Sequence, residues 1–284
     1  MHTHLDDLDL IRGAAAEAGA IALGYFGKSV ETRLKNGTSP VTEADFAVDR
    51  FLKDALLAAR PDYGWLSEES EDDPARLSAG RLFVVDPIDG TRGFIEGLDV
   101  WTVSVAVVEN DRPVAAVLFN PVRAEMFSAT AGGGASMDGM ALSVAADRAG
   151  LTDIATNWRH RKRVERLSGF RHRPALASLA YQIGSVANGR FHGVSVSVGA
   201  HDWDLAAADL LVHEAGGIVC DLDGRKPSYN RPSPRHDVLL AGEARRVQRL
   251  RAAFAAHPEA VPGPGRTGAG QRTDDAPRSE TDTP

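Results

Sequence analysis

The sequence predicts an α+β fold. Two observations carry this expectation. The middle of the chain holds consecutive strand-like runs, "WTVSVAVVEN" and "PVAAVLFNP", joined by the turn chemistry of "ENDRP". On either side lie segments whose apolar residues recur at spacings of three and four, the helical period. Strands gathered in the middle with helices at the flanks make the α+β pattern.

The elements follow in chain order. Leu5 to Phe26 reads as a helix, with Leu8, Ile11, Ala15, Ala18 and Ala22 on one face and Gly27 as its stop. Residues 30 to 40 are polar and turn-rich around "KNGTSP". A second helix is expected from about Glu43 to Ala59, with Ala44, Val48, Phe51, Leu52 and Leu56 as its apolar face and Pro61 as its end. Tyr63, Trp65 and Leu66 suggest a short, partly buried strand running into the acidic "SEESEDDP". The apolar run Leu82 to Val85 is the next strand and stops at Asp86. After the central strands, "AEMFSATAGGGASMDG" reads as a strand and a glycine-rich turn, with "MALSVA" pairing behind it. Residues 151 to 173 are rich in Arg and His and show no clear period. "LASLAYQIGSVANG" is helical in pattern, and "GVSVSVG" alternates Val194, Val196 and Val198 against Ser195 and Ser197 as a strand does. "WDLAAADLLVHEAGG" is a helix with Gly216 as its C-cap, and residues 245 to 255 form the last helix. From 257 to 284 the chain turns to Pro, Gly, Thr, Asp and Arg, which reads as a disordered tail behind one domain spanning residues 1 to 256.

Composition sets outer bounds on function. The 284 residues are 43% hydrophobic and 25% charged, enough apolar material for a sizeable core. The net charge of -7 and the lack of a dense basic run argue against a nucleic-acid partner, a duplex above all. Cys220 is the only cysteine, so an intramolecular disulfide and a cysteine metal cluster are both excluded. The acidic "MHTHLDDLDL" lacks the basic start of a secretory signal, and the apolar runs are too short for a membrane span. These features read as a cytoplasmic protein with no membrane partner.

Acids accompany hydroxyls or glycines at four places. In "SPVTEAD", Thr42 and Asp45 stand three apart at a helix start, which is also the pattern of a capping box. In "WLSEESED", an apolar approach ends at Glu68 and Glu69, although an acidic run is also what a solvated loop looks like. In "LFVVDPIDGTRGF", Pro87 biases Asp86 toward extended backbone, and the chain then turns at Asp89-Gly90. Both carboxylates could face one point there, with Gly90 and Thr91 opening a short helix whose N–H groups suit a phosphate. In "HDWDLAAADLLVHEAGG", Asp204 could be a plain N-cap, with His201 and Asp202 in a solvated loop. Taken together the four sites point to a hard divalent cation. Mg²⁺ takes a few carboxylates and completes its shell with water and substrate phosphate, whereas no Cys/His spacing for zinc is present. Carboxylates around two cations can clamp a phosphate and activate a water.

In this combination and order, "SPVTEAD", "SEES", "DPIDGTRGF", "AGGGASMDG" and "WDLAAADLLVHEAGG" give a chain that resembles the inositol monophosphatase family of Mg²⁺-dependent, lithium-sensitive phosphomonoesterases. The resemblance runs from the first helix to about residue 255. It implies a layered α/β/α/β/α sandwich. It also implies two or three Mg²⁺ ions, a small phosphorylated metabolite as substrate, and a homodimer. By the same resemblance, Glu68, Asp86 and the carbonyl of Ile88 hold a first metal. Asp86 bridges to a second, completed by Asp89 and Asp204. Thr91 and Asp45 position and deprotonate the attacking water, Gly90 and Thr91 donate N–H groups to the phosphate, Glu69 supports the metal ligands, and Lys35 stands beside the site.

The catalytic motifs do not separate substrates. Where the inositol branch carries a Glu before "WD", this chain offers Ser197 or Ser195, and a missing polar anchor costs a hydroxyl-rich substrate affinity. Arg190, His192 and His201 could serve an additional negative charge. Taken singly, each of these three is more often a surface residue. As a whole, "HDWDLAAADLLVHEAGG" is most similar to bacterial members of the bisphosphate nucleotidase branch, and this resemblance favours a 3'(2'),5'-bisphosphate nucleotidase, with an inositol-1-monophosphatase or a histidinol-phosphatase as alternatives. A non-catalytic metal- or phosphometabolite-binding protein is the alternative of another class, and the intact set of acids with Thr91 and Asp45 argues against it.

Overall fold

The computed structural model describes residues 2–35, 39–146 and 152–256; the tail expected from 257 to 284 lies outside the described residues. Two helices lead, α1 (His4–Leu23) and α2 (Glu43–Ala59), separated by the antiparallel pair β1 (Thr32–Lys35) and β2 (Ser39–Thr42). α1 stops earlier than its period suggests. After Leu23 the chain turns, Gly27 takes φ 71°, and Phe26 leaves the helix to pack against Phe94 and Trp101.

A seven-stranded sheet follows, built from β3 (Gly64–Ser67), β4 (Arg81–Asp89), β5 (Thr102–Glu109), β6 (Arg112–Asn120), β7 (Glu125–Thr130), β8 (Gly134–Met137) and β9 (Met140–Ala141) in that spatial order. Only β3 and β4 run parallel. A short helix, α3 (Thr91–Ile95), leaves the end of β4. The stretch from 151 to 173 that showed no clear period supplies, from residue 152 onward, β10 (Thr152–Thr156), α4 (Trp158–Glu165) and all but the last residue of β11 (Phe170–Pro174). With β12 (Gly193–Val196), β13 (Ile218–Asp221) and β14 (Leu239–Gly242) these strands form a five-stranded sheet of order β11-β10-β12-β14-β13. The remaining helices are α5 (Leu179–Gly184), α6 (Asp202–Glu214) and α7 (Ala244–Ala256).

Period-two alternation sorts the strand residues into layers. Phe83, Val85, Val105 and Val117 pack against α1 and α2, whereas Leu82, Val84, Ala106 and Leu118 face the central helices α5 and α6. Val194, Val196, Leu239 and Ala241 of the second sheet close that central layer from the other side. On the outer face of the second sheet, Ile154 and Leu240 pack with Val164 of α4 and Val247 and Leu250 of α7. The result is the five-layer α/β/α/β/α order. Because both faces of the second sheet are covered, all of Gly193–Val196 is buried. The Ser195 of "GVSVSVG" therefore does not face solvent; its hydroxyl bonds Thr156 and His160.

Candidate metal centre

β4 brings Asp86 to the site. The ladder between β4 and β5 is regular as far as Asp86 opposite Ser104, then shifts register before Asp89 opposite Thr102. Pro87 has no N–H to give the ladder, so the break falls where the sequence places it. The Ile88 N–H turns back to Asp86 Oδ1 at 3.1 Å. Gly90 then takes φ 98°, and a Cβ there would stand 3.0 Å from the Ser178 nitrogen. Only glycine makes this turn without strain. Phe94, on the buried side of α3, is wedged edge-on against Trp101 at 4.9 Å, which seats the helix that begins with Thr91.

β3 delivers the second acid. Its neighbour relation to β4 continues past Ser67, where the Glu68 N–H bonds the Val85 carbonyl at 3.2 Å. The turn beyond is held by Asp49 of α2, which accepts from the Ser67 and Ser70 hydroxyls. Asp49 stands one helical turn after Asp45, and that spacing is the one sequence signal that could have marked it. α6 delivers the third acid. Glu68, Asp86 and Asp204 place carboxylate oxygens within 4.8 Å of one another.

These groups line an open cleft of about 410 Å³ together with Asp89, Thr91 and Arg92. Its electrostatics are unfavourable without a cation. Burial raises the Asp86 carboxyl well above the usual range, and Glu68, Asp89 and Asp204 push it the same way. Asp89 is raised to about 7 by burial and by Asp204, against hydrogen bonds from Ser178, Ala180 and Leu179. Glu69 is raised to about 7, mainly by burial, although Lys35 bonds it, and its buried Oε2 has no hydrogen-bond partner among the described residues. The Lys35 ammonium also reaches Glu68 at 3.4 Å. An all-oxygen donor set with crowded, buried carboxylates fits a hard divalent cation.

Asp45 serves two partners with two oxygens. Oδ2 accepts from the Thr42 N–H at 2.8 Å and its hydroxyl at 2.6 Å, while Oδ1 accepts from the Thr91 hydroxyl at 3.1 Å. The capping box is thus real and does not exhaust the residue. Asp204 is similar: it is the third residue of α6, not its N-cap, and its Oδ2 accepts from the His201 N–H at 2.7 Å.

The chain matches the profile of the inositol monophosphatase family over residues 5–258. It belongs to that family. An inositol-1-monophosphatase of Rhizobium meliloti is 34% identical over 236 residues, 76% of this chain and 86% of that protein. The Nus factor SuhB of Pasteurella multocida is 33% identical over 230 residues, 75% of this chain and 84% of that protein. The solved structure of the Thermotoga maritima IMPase superposes with a TM-score of 0.75 at 27% identity, covering 88% of this chain and 99% of that one. Members of the family are phosphoric monoester hydrolases with a general dependence on metal, and the chain is one of these enzymes.

Several expected groups stand apart from the cleft. Ser197 accepts from the Asn157 side chain and is not among the lining residues. Arg190 pairs with Glu125 at 2.9 Å and with the Tyr181 hydroxyl, and His192 Nδ1 accepts from the Asp153 N–H at 3.0 Å. Asp202 is fully buried and is not a loop residue in solvent. Its oxygens meet His236 Nε2 at 2.7 Å and the Asn230 N–H at 2.8 Å. Asn230 in turn accepts from Arg76 at 2.7 Å, and Arg76 grips Asp72 beyond the Glu68 turn. This chain of contacts ties the start of α6 to the acidic turn after β3, and sequence spacing carried no sign of it.

Proposed function

We propose that the enzyme hydrolyses the monophosphate ester of a small metabolite through an activated water, with Mg²⁺ as its metal. The observation that carries this reading is the meeting of Glu68, Asp86 and Asp204 beside the Thr91–Asp45 pair. Glu68, Asp86 and Asp204, with Asp89 and the Ile88 carbonyl, are the groups that would hold two or three ions. When bound, the ions supply polarisation of the phosphoryl group and acidification of a water. The Thr91 hydroxyl orients the attacking water and Asp45 Oδ1 receives its proton through that hydroxyl. Gly90 and Thr91 begin α3, where N–H groups lack partners within the helix and can meet the phosphate oxygens. Lys35 holds Glu68 and Glu69 in place.

For the substrate, inositol 1-phosphate is supported by the name of the Rhizobium meliloti relative. The second reading is a 3'(2'),5'-bisphosphate nucleotide. Its cationic support is weaker in the structure, because Arg190 and His192 are engaged elsewhere. It keeps one favourable observation: His201 and Trp203, near Asp204 in the chain, stack face to face at 4.5 Å and 8°, an aromatic pair that a base could extend, although neither ring is among the residues lining the cleft. Phosphate release from inositol 1-phosphate, adenosine 3',5'-bisphosphate, histidinol phosphate and fructose 1,6-bisphosphate, with and without Mg²⁺, tests both levels. Release that is independent of Mg²⁺ contradicts the metal reading, and the preferred substrate decides between the two.

A further inference from the structure

The chain carries a net charge of -7, yet its outermost layer is basic. α4 and its C-cap Arg166 hold five cations and one acid, Glu165, which pairs with Arg161. α7 holds four arginines and no acid. The two helices are far apart in sequence and adjacent in space: the Arg163 guanidinium lies 4.8 Å over the Phe254 ring, and Arg249 lies 4.4 Å over Phe170 while bonding the Ser168 carbonyl. Their apolar sides are spent on the second sheet. What they turn outward is Arg159, Arg161, Lys162 and Arg166 from α4 and Arg245 and Arg249 from α7, all exposed. The acid nearest the start of α7, Glu243, is occupied with the Arg245 and Arg246 N–H groups.

Trp158 stands on the same face. It is 78% exposed, with Arg159 stacked 5.6 Å from its ring. A single exposed ring is ordinary by itself; this one is set among the outward cations of α4, with Arg159, Lys162 and Arg166 on the same helix. A flat ring flanked by guanidinium forks suits a partner that offers phosphates and unpaired bases together. An anionic membrane fits less well, because the face has no apolar ridge beyond this one ring. We propose that the α4–α7 face binds single-stranded nucleic acid, with the arginines on phosphates and Trp158 stacking a base. The expectation of no nucleic-acid partner rested on the net charge and on finding no dense basic run; the first averages this layer away, and the second passed over the cations from Arg159 to Arg166 that α7 joins in space.

The test is fluorescence anisotropy of a labelled single-stranded 12-mer, RNA and DNA, with the full-length enzyme from 50 to 300 mM salt. Contact with about four phosphates gives a log–log salt slope of roughly -3. Arg159→Glu/Lys162→Glu/Arg245→Glu should weaken binding at least about tenfold, and Trp158→Ala by roughly fivefold with loss of indole quenching. Phosphatase activity should be unchanged in both, because none of these residues lines the cleft. No binding at 50 mM salt, equal binding by the triple variant, or equal binding of anionic vesicles through the same residues overturns the proposal. So does a change of oligomeric state in the triple variant without loss of binding, which would make this face a contact between copies.

Discussion

The Thr91 hydroxyl lies 3.1 Å from Asp45 Oδ1, and the other oxygen of Asp45 caps the helix that carries it. One carboxylate is fixed by the fold and still has an oxygen at the reaction centre. Burial raises the Asp45 carboxyl above its usual range, the direction a proton acceptor needs. Thr91→Val and Asp45→Asn are each expected to lower kcat by about 10²-fold or more with KM little changed. Steady-state kinetics at saturating Mg²⁺ check this, and a rise in KM at constant kcat would assign the pair to substrate binding instead.

Gly90→Ala forces a side chain onto a backbone at φ 98° and against the Ser178 nitrogen. Strain of this kind costs about 1–3 kcal/mol. The same shift displaces the Ser178–Ala180 turn, whose groups bond Asp89. Urea unfolding should show the stability loss and Mg²⁺ titration a weaker half-saturation. A variant with wild-type values in both would mean that the turn relaxes freely.

How far this site could be read in advance depended on where its contacts lie along the chain. The acid motifs were legible because their partners are local: Thr42 and Asp45 are three apart, and Asp86 to Thr91 are six consecutive residues. Asp49 and the Arg76–Asn230 contact were not, because the second of these spans 154 positions and neither has a motif. The central strands were legible because "WTVSVAVVEN" makes a buried run bounded by turns. Residues 152 to 174 were not, since β10 finds its partners only through parallel pairing with β11 and distant β12, and the arginines of α4 mask its small apolar face. Ser195, offered with Ser197 as a substrate anchor, is instead taken up by Thr156 and His160, because both faces of its sheet are covered and alternation does not show which layer a strand meets.

His236→Ala leaves buried Asp202 without one of its two partners. An acceptor stripped of a partner in the interior costs about 1–3 kcal/mol. Because Asp202 starts the helix that carries Asp204, the Mg²⁺ half-saturation should also rise several-fold. His236→Gln, which can still donate, should recover most of it. Equal loss in both variants would make the contact one of packing alone.

His160 is buried against Phe254 and is lowered to about 4 by that burial and by Arg163 and Arg159. Its folded value lies below the ordinary 6.5. The unfolded chain therefore takes up the proton first as pH falls, and stability is full above about pH 6.5 and drops toward pH 4. Urea midpoints across that window should slope less in His160→Gln than in the wild type; equal slopes would show that the imidazole titrates normally in the fold.

The account stands most directly on Asp86, buried among Glu68, Asp89 and Asp204. Mg²⁺ titration calorimetry and phosphate release should be measured together on the wild type and Asp86→Asn. The wild type should bind Mg²⁺, gain thermal stability from it and release phosphate. The variant should lose Mg²⁺ binding and at least about 10³-fold of its rate, while its metal-free form melts no lower than the wild type, since a repelled buried charge has gone. Release near the wild-type rate from Asp86→Asn would contradict the assignment of this cluster as the metal centre.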